Sequence, residues 1–216
     1  MPAAASPIRP IRLVIFDLDE VLVHFRPQRR LDYLSGLTGI APEILHRAIW
    51  GSPFEPDAEA GAYADPDEYL AEFNRRIGYR LSKQQWIMGR RVAMRLRPEV
   101  LEVARSLQGQ VELALLTNNG SLLKESLPLL VPEICAVFGD RAHASYEFKA
   151  RKPDVAVYRR LVARYGIPPE QALHIDDNPE FVNGAIAAGV QGIIFRTLPE
   201  LVDTLSALGL SGDRLK

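Results

Sequence analysis

The stretch "VIFDLDEVLV", residues 14 to 23, decides how this chain is interpreted. A nearly continuous apolar run, which begins after Arg12, leads directly into the paired carboxylates of Asp17 and Asp19. Such a run is typical of a central parallel strand that is covered on both faces. A buried carboxylate without a partner is strongly unfavourable, or it takes up a proton. Either the strand ends at Asp17 and both acids lie in solvent, or a positive charge meets them.

The rest of the chain alternates between strand and helix patterns. Three further apolar segments have the length of strands, at residues 111–117, 172–176 and 191–195. Helix patterns lie between and after them, beginning at Arg97, Pro153, Pro179 and Leu198. This alternation predicts an α/β fold with a Rossmann-like, mostly parallel sheet and helices on both faces.

The segment from residue 24 to 95 interrupts this alternation. It shows short amphipathic helix patterns and no strong strand pattern, and Asp65-Pro66 and Ser82 are typical helix starts. We therefore predict a helical cap at 24–95, inserted into an α/β catalytic core of residues 1–23 and 96–216. Four aromatic residues are expected in the interior of the cap, and the less favoured alternative is that one or two of them line a substrate pocket: Trp50, Phe54, Tyr63 and Trp86.

Three arginine pairs lie within the predicted cap. They are Arg29-Arg30, Arg75-Arg76 and Arg90-Arg91. Each pair is expected on a solvated helix face, because charged residues are seldom buried. A pair that pointed inward instead would favour an anionic substrate.

Polar residues cluster where the predicted strands end. They are Asp17 and Asp19 after the first strand, Thr117, Asn118 and Asn119 at the second, Asp176 and Asp177 at the third, and Lys152 in the segment between the last two. In an open parallel sheet, ligands bind at the carboxyl ends of the strands. These side chains therefore converge on one rim if the strands are parallel.

Phosphoryl transfer through a carboxylate needs this combination of groups. A carboxylate attacks phosphorus and forms an acyl phosphate, which divides one difficult step into two. A hard cation with oxygen ligands, most plausibly Mg²⁺, stabilises the transferring group. Hydroxyl, amide and ammonium donors hold the phosphoryl oxygens, and a second acid exchanges protons with the leaving group and water.

Four motifs in order resemble those of the haloacid dehalogenase superfamily. They are "FDLDEVLV", "LLTNNG", "RKPD" and "HIDDNPEFVNGAIAAG". The helical segment after the first motif is similar to the small cap of that superfamily's first subclass. The "IDDN…GA" form is similar to the branch that contains bacterial sugar-phosphate phosphatases and the N-terminal phosphatase domain of soluble epoxide hydrolase.

The resemblance implies a role for each residue by position. Asp17 would be the nucleophile and a metal ligand, and Asp19 the general acid/base, with its backbone carbonyl also on the metal. Thr117 and the Asn118 amide would hold the phosphoryl oxygens, and Lys152 would pair with the nucleophile and the phosphate. Asp176 and Asp177 would complete the Mg²⁺ site. Lys152 and the metal would then be the positive charge that meets the acids.

Glu20 departs from the family pattern, which usually has glycine after the second aspartate. Glycine permits backbone conformations that other residues resist. Two outcomes are open. In the first, which we favour, Glu20 points toward solvent or a basic cap residue, because a further carboxylate beside the phosphate would oppose an anionic substrate. In the second, Glu20 lies near Asp19 and raises the pKa of Asp19 by like-charge repulsion.

Four functions are compatible with this scaffold. The first is a Mg²⁺-dependent phosphatase acting on a small phosphorylated metabolite such as a sugar phosphate. The second is a phosphomutase that uses the same residues. Dehalogenation of a 2-haloacid is disfavoured because such enzymes generally lack the acid at Asp19. A non-catalytic phosphate-binding or regulatory relative is disfavoured by the intact set of motif residues.

Composition limits the partners and the location. The 216 residues include 26 basic and 27 acidic side chains, for a net charge of -1, which favours neither nucleic acid nor an anionic membrane. The first twelve residues lack the pattern of a secretory signal and resemble a short disordered lead. With a single cysteine, Cys135, the chain is expected in the cytoplasm. We expect a monomer or homodimer that acts on a small-molecule phosphate ester.

Overall fold

The fold was analysed in a computed structural model, which describes residues 10–210. The first nine residues, which include most of the predicted disordered lead, and the last six lie outside the described residues. The strands, numbered along the chain, are β1 (Leu13–Phe16), β2 (Val23–Phe25), β3 (Met94–Leu96), β4 (Glu112–Thr117), β5 (Ala142–Ala144), β6 (Ala172–Asp176) and β7 (Gln191–Ile194).

Five of these strands form a parallel sheet in the order β5-β4-β1-β6-β7. The strand that carries the first motif, β1, is therefore central, as its apolar sequence predicted. The four strands predicted from the sequence are confirmed. The edge strand β5 was not predicted, because three residues are too few to show a strand pattern.

The helices connect the strands and build the cap. In chain order they are α1 (Pro27–Thr38), α2 (Pro42–Ala48), α3 (Phe54–Glu59), α4 (Pro66–Ile77), α5 (Lys83–Arg91), α6 (Pro98–Ser106), α7 (Ser121–Leu130), α8 (Pro132–Phe138), α9 (Val155–Arg164), α10 (Pro179–Ala187) and α11 (Leu198–Ala207). Between residues 10 and 210, every helix is too short or too polar to cross a bilayer.

Both faces of the sheet are covered. In β1, Leu13 and Ile15 belong to one apolar cluster with α9, and Val14 and Phe16 belong to the other with α8 and α11. Alternate residues of a strand point to opposite faces, so a strand covered on both sides is apolar throughout. The predicted fold class, a Rossmann-like parallel sheet with helices on both faces, is confirmed.

The segment predicted as a purely helical insertion is bordered by two strands. β2 and β3 pair antiparallel, with Val23 opposite Leu96 and Phe25 opposite Met94, and α1 to α5 lie between them in the chain. The expectation of no strand between residues 24 and 95 is therefore wrong at both ends. Each strand has three residues, and their pairing forms only when the insertion folds back on itself.

The local signals for the cap helices were read correctly. Asp65 caps α4 by accepting a hydrogen bond from the backbone N–H of Asp67, at 2.7 Å. Ser82 caps α5 in a reciprocal capping box with Gln85. The short helix α3 was not predicted.

Aromatic packing forms the interior of the cap. The ring of Phe54 stacks on that of Tyr69 with 5.1 Å between centroids, and Tyr69 meets Trp86 edge-on at 5.8 Å. Phe54 and Trp86 are buried, as predicted, whereas Trp50 and Tyr63 are half-buried.

The cap is joined to the core by specific contacts. Ser121 and Ser145 donate hydrogen bonds from their hydroxyls to the backbone oxygens of Tyr63, at 2.9 Å, and Glu59, at 2.8 Å. Arg151 pairs with the Glu59 carboxylate at 2.6 Å. Cap and core are therefore held together directly above the carboxyl ends of the strands.

Candidate active site

The predicted site residues meet at one edge of the sheet. Asp17 follows β1, Thr117 ends β4 and Asp176 ends β6, so the three parallel strands deliver them side by side. Lys152 comes from the loop that precedes α9. All four are buried, with Lys152 only 1% exposed and Asp176 completely covered.

Lys152 is the positive charge that meets the acids. Its Nζ donates hydrogen bonds to Asp17 Oδ1 at 2.7 Å and to Asp176 Oδ2 at 2.6 Å. The ring of Phe181 lies 4.9 Å from the same nitrogen. A buried charge is tolerated when it is paired and hydrogen-bonded. The question raised by the opening stretch is therefore answered by a residue 135 positions further along the chain.

One ammonium group serves two buried carboxylates. Burial raises the pKa of Asp17, Asp176 acts in the same direction, and Lys152 opposes them. Burial also acts to raise the pKa of Asp176, but Lys152 and His174 outweigh it and hold that pKa below its usual range. Of the two carboxyls, Asp17 is therefore the harder to ionise until further positive charge is present.

His174 and the start of α10 fix the Asp176 carboxylate. His174 Nε2 lies 3.0 Å from Asp176 Oδ2, and the backbone N–H of Asn178 donates to Oδ1 at 2.9 Å. Burial lowers the pKa of His174, so the ring is neutral, and Nε2 carries the proton because a carboxylate only accepts. Sequence reasoning missed His174. The signal was its position two residues before Asp176, which places both on one face of β6.

Asn118 holds the backbone of Lys152. Its side chain donates to the backbone oxygen of Lys152 at 2.9 Å and accepts from the backbone N–H of Lys152 at 2.8 Å. This reciprocal pair was not predicted, and contact of Asn118 with phosphate stays a prediction. The neighbouring Thr117 hydroxyl accepts a hydrogen bond from the Asn119 amide at 2.8 Å.

Gly184 allows α10 to approach the lysine loop. A Cβ atom at this position would lie 2.3 Å from the backbone oxygen of Pro153, well inside contact distance. Because Pro153 directly follows Lys152, a larger residue at 184 would displace the loop that presents the ammonium group. This is the structural reason for a glycine in the "NGAIAAG" segment.

Three carboxylates are placed for a metal ion. Asp17, Asp176 and Asp177 each offer an oxygen, and these atoms lie within 4.8 Å of one another. Asp177 is exposed, whereas the other two are buried. Hard cations such as Mg²⁺ prefer carboxylate and carbonyl oxygen ligands. The donor set therefore fits Mg²⁺.

Asp19 faces the cap. Arg90 Nη2 donates to Asp19 Oδ2 at 2.5 Å, and the guanidinium carbon of Arg90 lies 4.0 Å from the centroid of the Phe25 ring. Arg90 is 3% exposed and Arg30 5% exposed. The expectation of solvated faces is therefore wrong for these two arginines, because Trp50 and Trp86 cover Arg30, and Phe25 and Asp19 lie against Arg90. It is right for their exposed neighbours, Arg29 and Arg91, and for Arg75, whose side chain is 70% exposed.

Glu20 is paired with basic side chains, although its charge adds to the larger effect of burial in raising the pKa of Asp177. Its backbone lies in the left-handed region, with φ of 61°, which explains why glycine suits this position. Its carboxylate accepts from the backbone N–H of Phe25 at 2.7 Å and contacts Arg97 at 3.3 Å and Arg26 at 3.6 Å. The cap residue Arg26 therefore lies near Glu20, as the favoured outcome expects, but the nearer partner, Arg97, belongs to the core; that Glu20 leaves Asp19 unperturbed stays a prediction.

We expect Glu20→Gly to change catalysis little. Glycine adopts the left-handed backbone conformation without strain, which stabilises the variant, whereas the lost hydrogen bond from the Phe25 N–H destabilises it. The free energy of unfolding should therefore change by no more than about 1 kcal/mol. The acidic limb of the pH–rate profile should stay in place. A tenfold change in rate, or a displaced acidic limb, that Glu20→Gln also produced would make the Glu20 charge part of the site.

Comparison with known proteins agrees with this geometry. A family model described as haloacid dehalogenase-like hydrolase matches residues 11–189. This chain belongs to that family, and it is therefore a hydrolase of the haloacid dehalogenase (HAD) type. A phosphatase from Mycobacterium tuberculosis is 28% identical over 218 residues, with 92% of this chain and 95% of the relative covered. A flavin mononucleotide hydrolase from Arabidopsis thaliana is 38% identical over 61 residues, 28% of this chain and 25% of the relative.

Solved structures share the fold. An HAD-like hydrolase from Porphyromonas gingivalis aligns with a TM-score of 0.77 and 22% identity, over 94% of this chain and all of that one. An HAD family enzyme from Bacteroides thetaiotaomicron, in complex with magnesium and inorganic phosphate, aligns with a TM-score of 0.71 and 18% identity. That alignment covers 86% of this chain and 94% of the other.

Proposed function

We propose that this hydrolase is a Mg²⁺-dependent phosphatase that cleaves a small phosphorylated metabolite through an aspartyl-phosphate intermediate. One observation carries the proposal: Lys152 is buried between Asp17 and Asp176 at the carboxyl ends of the central strands. A nucleophile beside a buried ammonium group suits an anionic phosphate better than a neutral substrate. The full-length similarity to a mycobacterial phosphatase supports the same activity.

The first chemical step assigns one role to each acid. An Asp17 oxygen attacks phosphorus and forms the acyl phosphate, and the bond from phosphorus to the ester oxygen breaks. Asp19 gives its proton to that leaving oxygen, so the alcohol departs neutral. Lys152 and the Thr117 hydroxyl hold the equatorial phosphoryl oxygens, on which negative charge is spread.

The second step returns the protein to its starting state. A water molecule attacks phosphorus, Asp19 takes up the proton of that water, and Asp17 leaves as a carboxylate with inorganic phosphate released. A phosphomutase would instead return the phosphoryl group to a second alcohol, with the same residues. The two reactions differ in product, because only hydrolysis releases inorganic phosphate from a single substrate.

The charge balance of the site supports a divalent cation. Three carboxylates face one ammonium group, so the site lacks positive charge before an anionic substrate arrives. Asp17, Asp177 and the backbone carbonyl of Asp19 would hold Mg²⁺, whose charge screens the carboxylates from the phosphate. Both oxygens of Asp176 already accept hydrogen bonds, which makes Asp176 the anchor of Lys152 and leaves Asp177 as the freer ligand.

Removal of the metal should stop the reaction. We expect hydrolysis of an aryl phosphate to require Mg²⁺, to fall to the uncatalysed rate in excess EDTA, and to return when Mg²⁺ is restored. Phosphate release is the measurement, and a thermal melt in EDTA shows that the fold survives. Full activity in excess EDTA would overturn the metal assignment, and absence of phosphate release from any ester would overturn the phosphatase itself.

A further inference from the structure

Unpartnered polar atoms gather where the cap covers the site. Among residues 10–210, the buried side-chain atoms without a hydrogen-bond partner include Nε and Nη2 of Arg30, Nε of Arg90, Nε1 of Trp86 and Oδ1 of Asp19. Burying such groups without partners costs free energy, and the cost is larger for charged groups. Four of these five atoms are N–H donors, so an acceptor is the group that would satisfy them.

Arg30 is held in a defined orientation. Its guanidinium carbon lies 4.9 Å from the centroid of the Trp50 ring and 4.8 Å from that of Trp86, so the group is stacked between two aromatic faces. Stacking occupies the two faces of a guanidinium group, whereas its N–H bonds lie in the plane of the group and point outward from its edge. The edge of Arg30 is therefore both buried and unpaired, in a geometry that suits bidentate recognition of an anion.

Several charged groups surround Arg30. Burial lowers the pKa of Arg30, and the positive charge of Arg90 acts in the same direction, whereas Tyr69, Glu55 and Asp19 oppose them. Trp86, on which Arg30 stacks, lies one helical turn before Arg90 on α5, and Arg90 contacts Asp19, so Arg30 lies on the same side of the site as the predicted acid/base.

Glu55 does not satisfy the edge of Arg30. An oxygen of its carboxylate accepts from the Tyr69 hydroxyl at 2.7 Å, and the two Arg30 nitrogens keep no partner. The Nε and Nη2 groups of Arg30 therefore remain unpaired even though an acidic side chain is near.

We propose that the buried edge of Arg30, assisted by Arg90, binds a second anionic group on the alcohol part of the substrate, either a carboxylate or a second phosphate. This inference rests on the proposed phosphatase activity. In the proposed reaction the phosphoryl group to be cleaved lies against Asp17 and Lys152, and Asp19 protonates the ester oxygen. Arg90 contacts Asp19 directly, and Arg30 stacks on Trp86 of the same helix, so these arginines are on the leaving-group side. The substrate class is a compact phosphate ester whose alcohol is itself an anion.

Matched substrate pairs test this inference on the unmodified protein. One pair is 3-phosphoglycerate against glycerol 3-phosphate, which differ in a carboxylate, and the other is fructose 1,6-bisphosphate against fructose 6-phosphate, which differ in a second phosphate. We expect kcat/KM to be about tenfold or more higher for the anionic member of at least one pair. The pair that shows the preference identifies the anion. Equal kcat/KM within both pairs would overturn the proposal.

Substitution of Arg30 tests the residue itself. Arg30→Gln should reduce that preference about tenfold or more, and Arg30→Lys, which keeps the charge but not the planar fork, should retain part of it. Arg75→Gln is the matched control, because Arg75 is an exposed cap arginine paired with Glu72. An unchanged preference in Arg30→Gln with a lowered melting temperature would show that Arg30 only packs between the tryptophans, and the proposal would fail.

A binding measurement separates this proposal from the proposed activity. In Asp17→Asn, which should hold the ester uncleaved, calorimetry with Mg²⁺ present should show tighter binding of the anionic member of the preferred pair. The additional substitution Arg30→Gln should remove that difference. If the wild-type protein hydrolyses aryl phosphate but neither pair is distinguished, the subsite fails and the phosphatase stands. If no ester is hydrolysed, the proposed function itself fails.

Discussion

Replacement of Asp17 by asparagine is expected to abolish phosphate-ester hydrolysis, with a loss in kcat on the order of 10⁴ to 10⁶. The amide is a poor nucleophile, so the acyl phosphate does not form. The fold should survive, because asparagine has nearly the same shape and its amide oxygen can still accept from Lys152. Loss of one negative charge also leaves Lys152 paired one-to-one with Asp176, which removes the repulsion between the two carboxylates.

The measurement is kcat for an aryl phosphate beside the melting temperature. Asp140→Asn is the matched control, because Asp140 is exposed outside this site, and it should behave as the wild-type protein does. Trapping with beryllium fluoride gives an independent readout, since the analogue should bind the wild-type protein and not Asp17→Asn. Activity within tenfold of wild type would remove Asp17 from the role of nucleophile.

Replacement of Lys152 by methionine is the second change with a large expected effect, on stability as well as rate. Methionine fills a similar volume but leaves the Asp17 and Asp176 carboxylates buried without their shared cation. Removing one partner of a buried ion pair costs about 3–5 kcal/mol of unfolding free energy. Loss of the group that holds the phosphoryl oxygens should lower kcat by about 10² to 10³.

The stability loss in Lys152→Met should depend on pH. Without the ammonium group, burial and mutual repulsion raise the pKa of Asp17 and Asp176 in the folded protein above their unfolded values. The folded state then binds more protons than the unfolded state, so the unfolding free energy falls as the pH rises from about 4 through the raised pKa values. Denaturant melts at pH 5 and pH 8 should show the larger deficit against wild type at pH 8.

Lys149→Met is the control for Lys152→Met, because Lys149 is exposed in the same loop region. It should match the wild-type protein in stability and rate at both pH values. Mg²⁺ should recover part of the stability of Lys152→Met, because a bound cation stabilises the folded state that holds it. An unfolding free energy within about 1 kcal/mol of wild type at pH 8 would mean that Lys152 is not the charge that makes the buried acids tolerable.

The sequence by itself determined the architecture and the position of the site. Apolar runs of strand length, helix patterns between them and starts such as Asp65 and Ser82 are local signals, so they could be read without any partner. The acids fell at strand ends, and the topology of a parallel sheet brings such ends together wherever they lie in the chain. The sequence therefore predicts that Asp17, Thr117 and Asp176 share one rim of the sheet.

Tertiary structure alone decided which groups are buried and what they contact. The partners of Lys152 lie 135 and 24 residues away, and Arg90 lies 71 residues from Asp19, so no local pattern shows either contact. The sequence predicts Arg30 on a solvated helix face, yet the folding of the cap buries it between two tryptophans of the cap. The physical reason is that the burial of a charged side chain depends on residues that are distant in the sequence and come together only in the folded chain. Periodicity and helix capping, in contrast, depend on a few neighbouring residues.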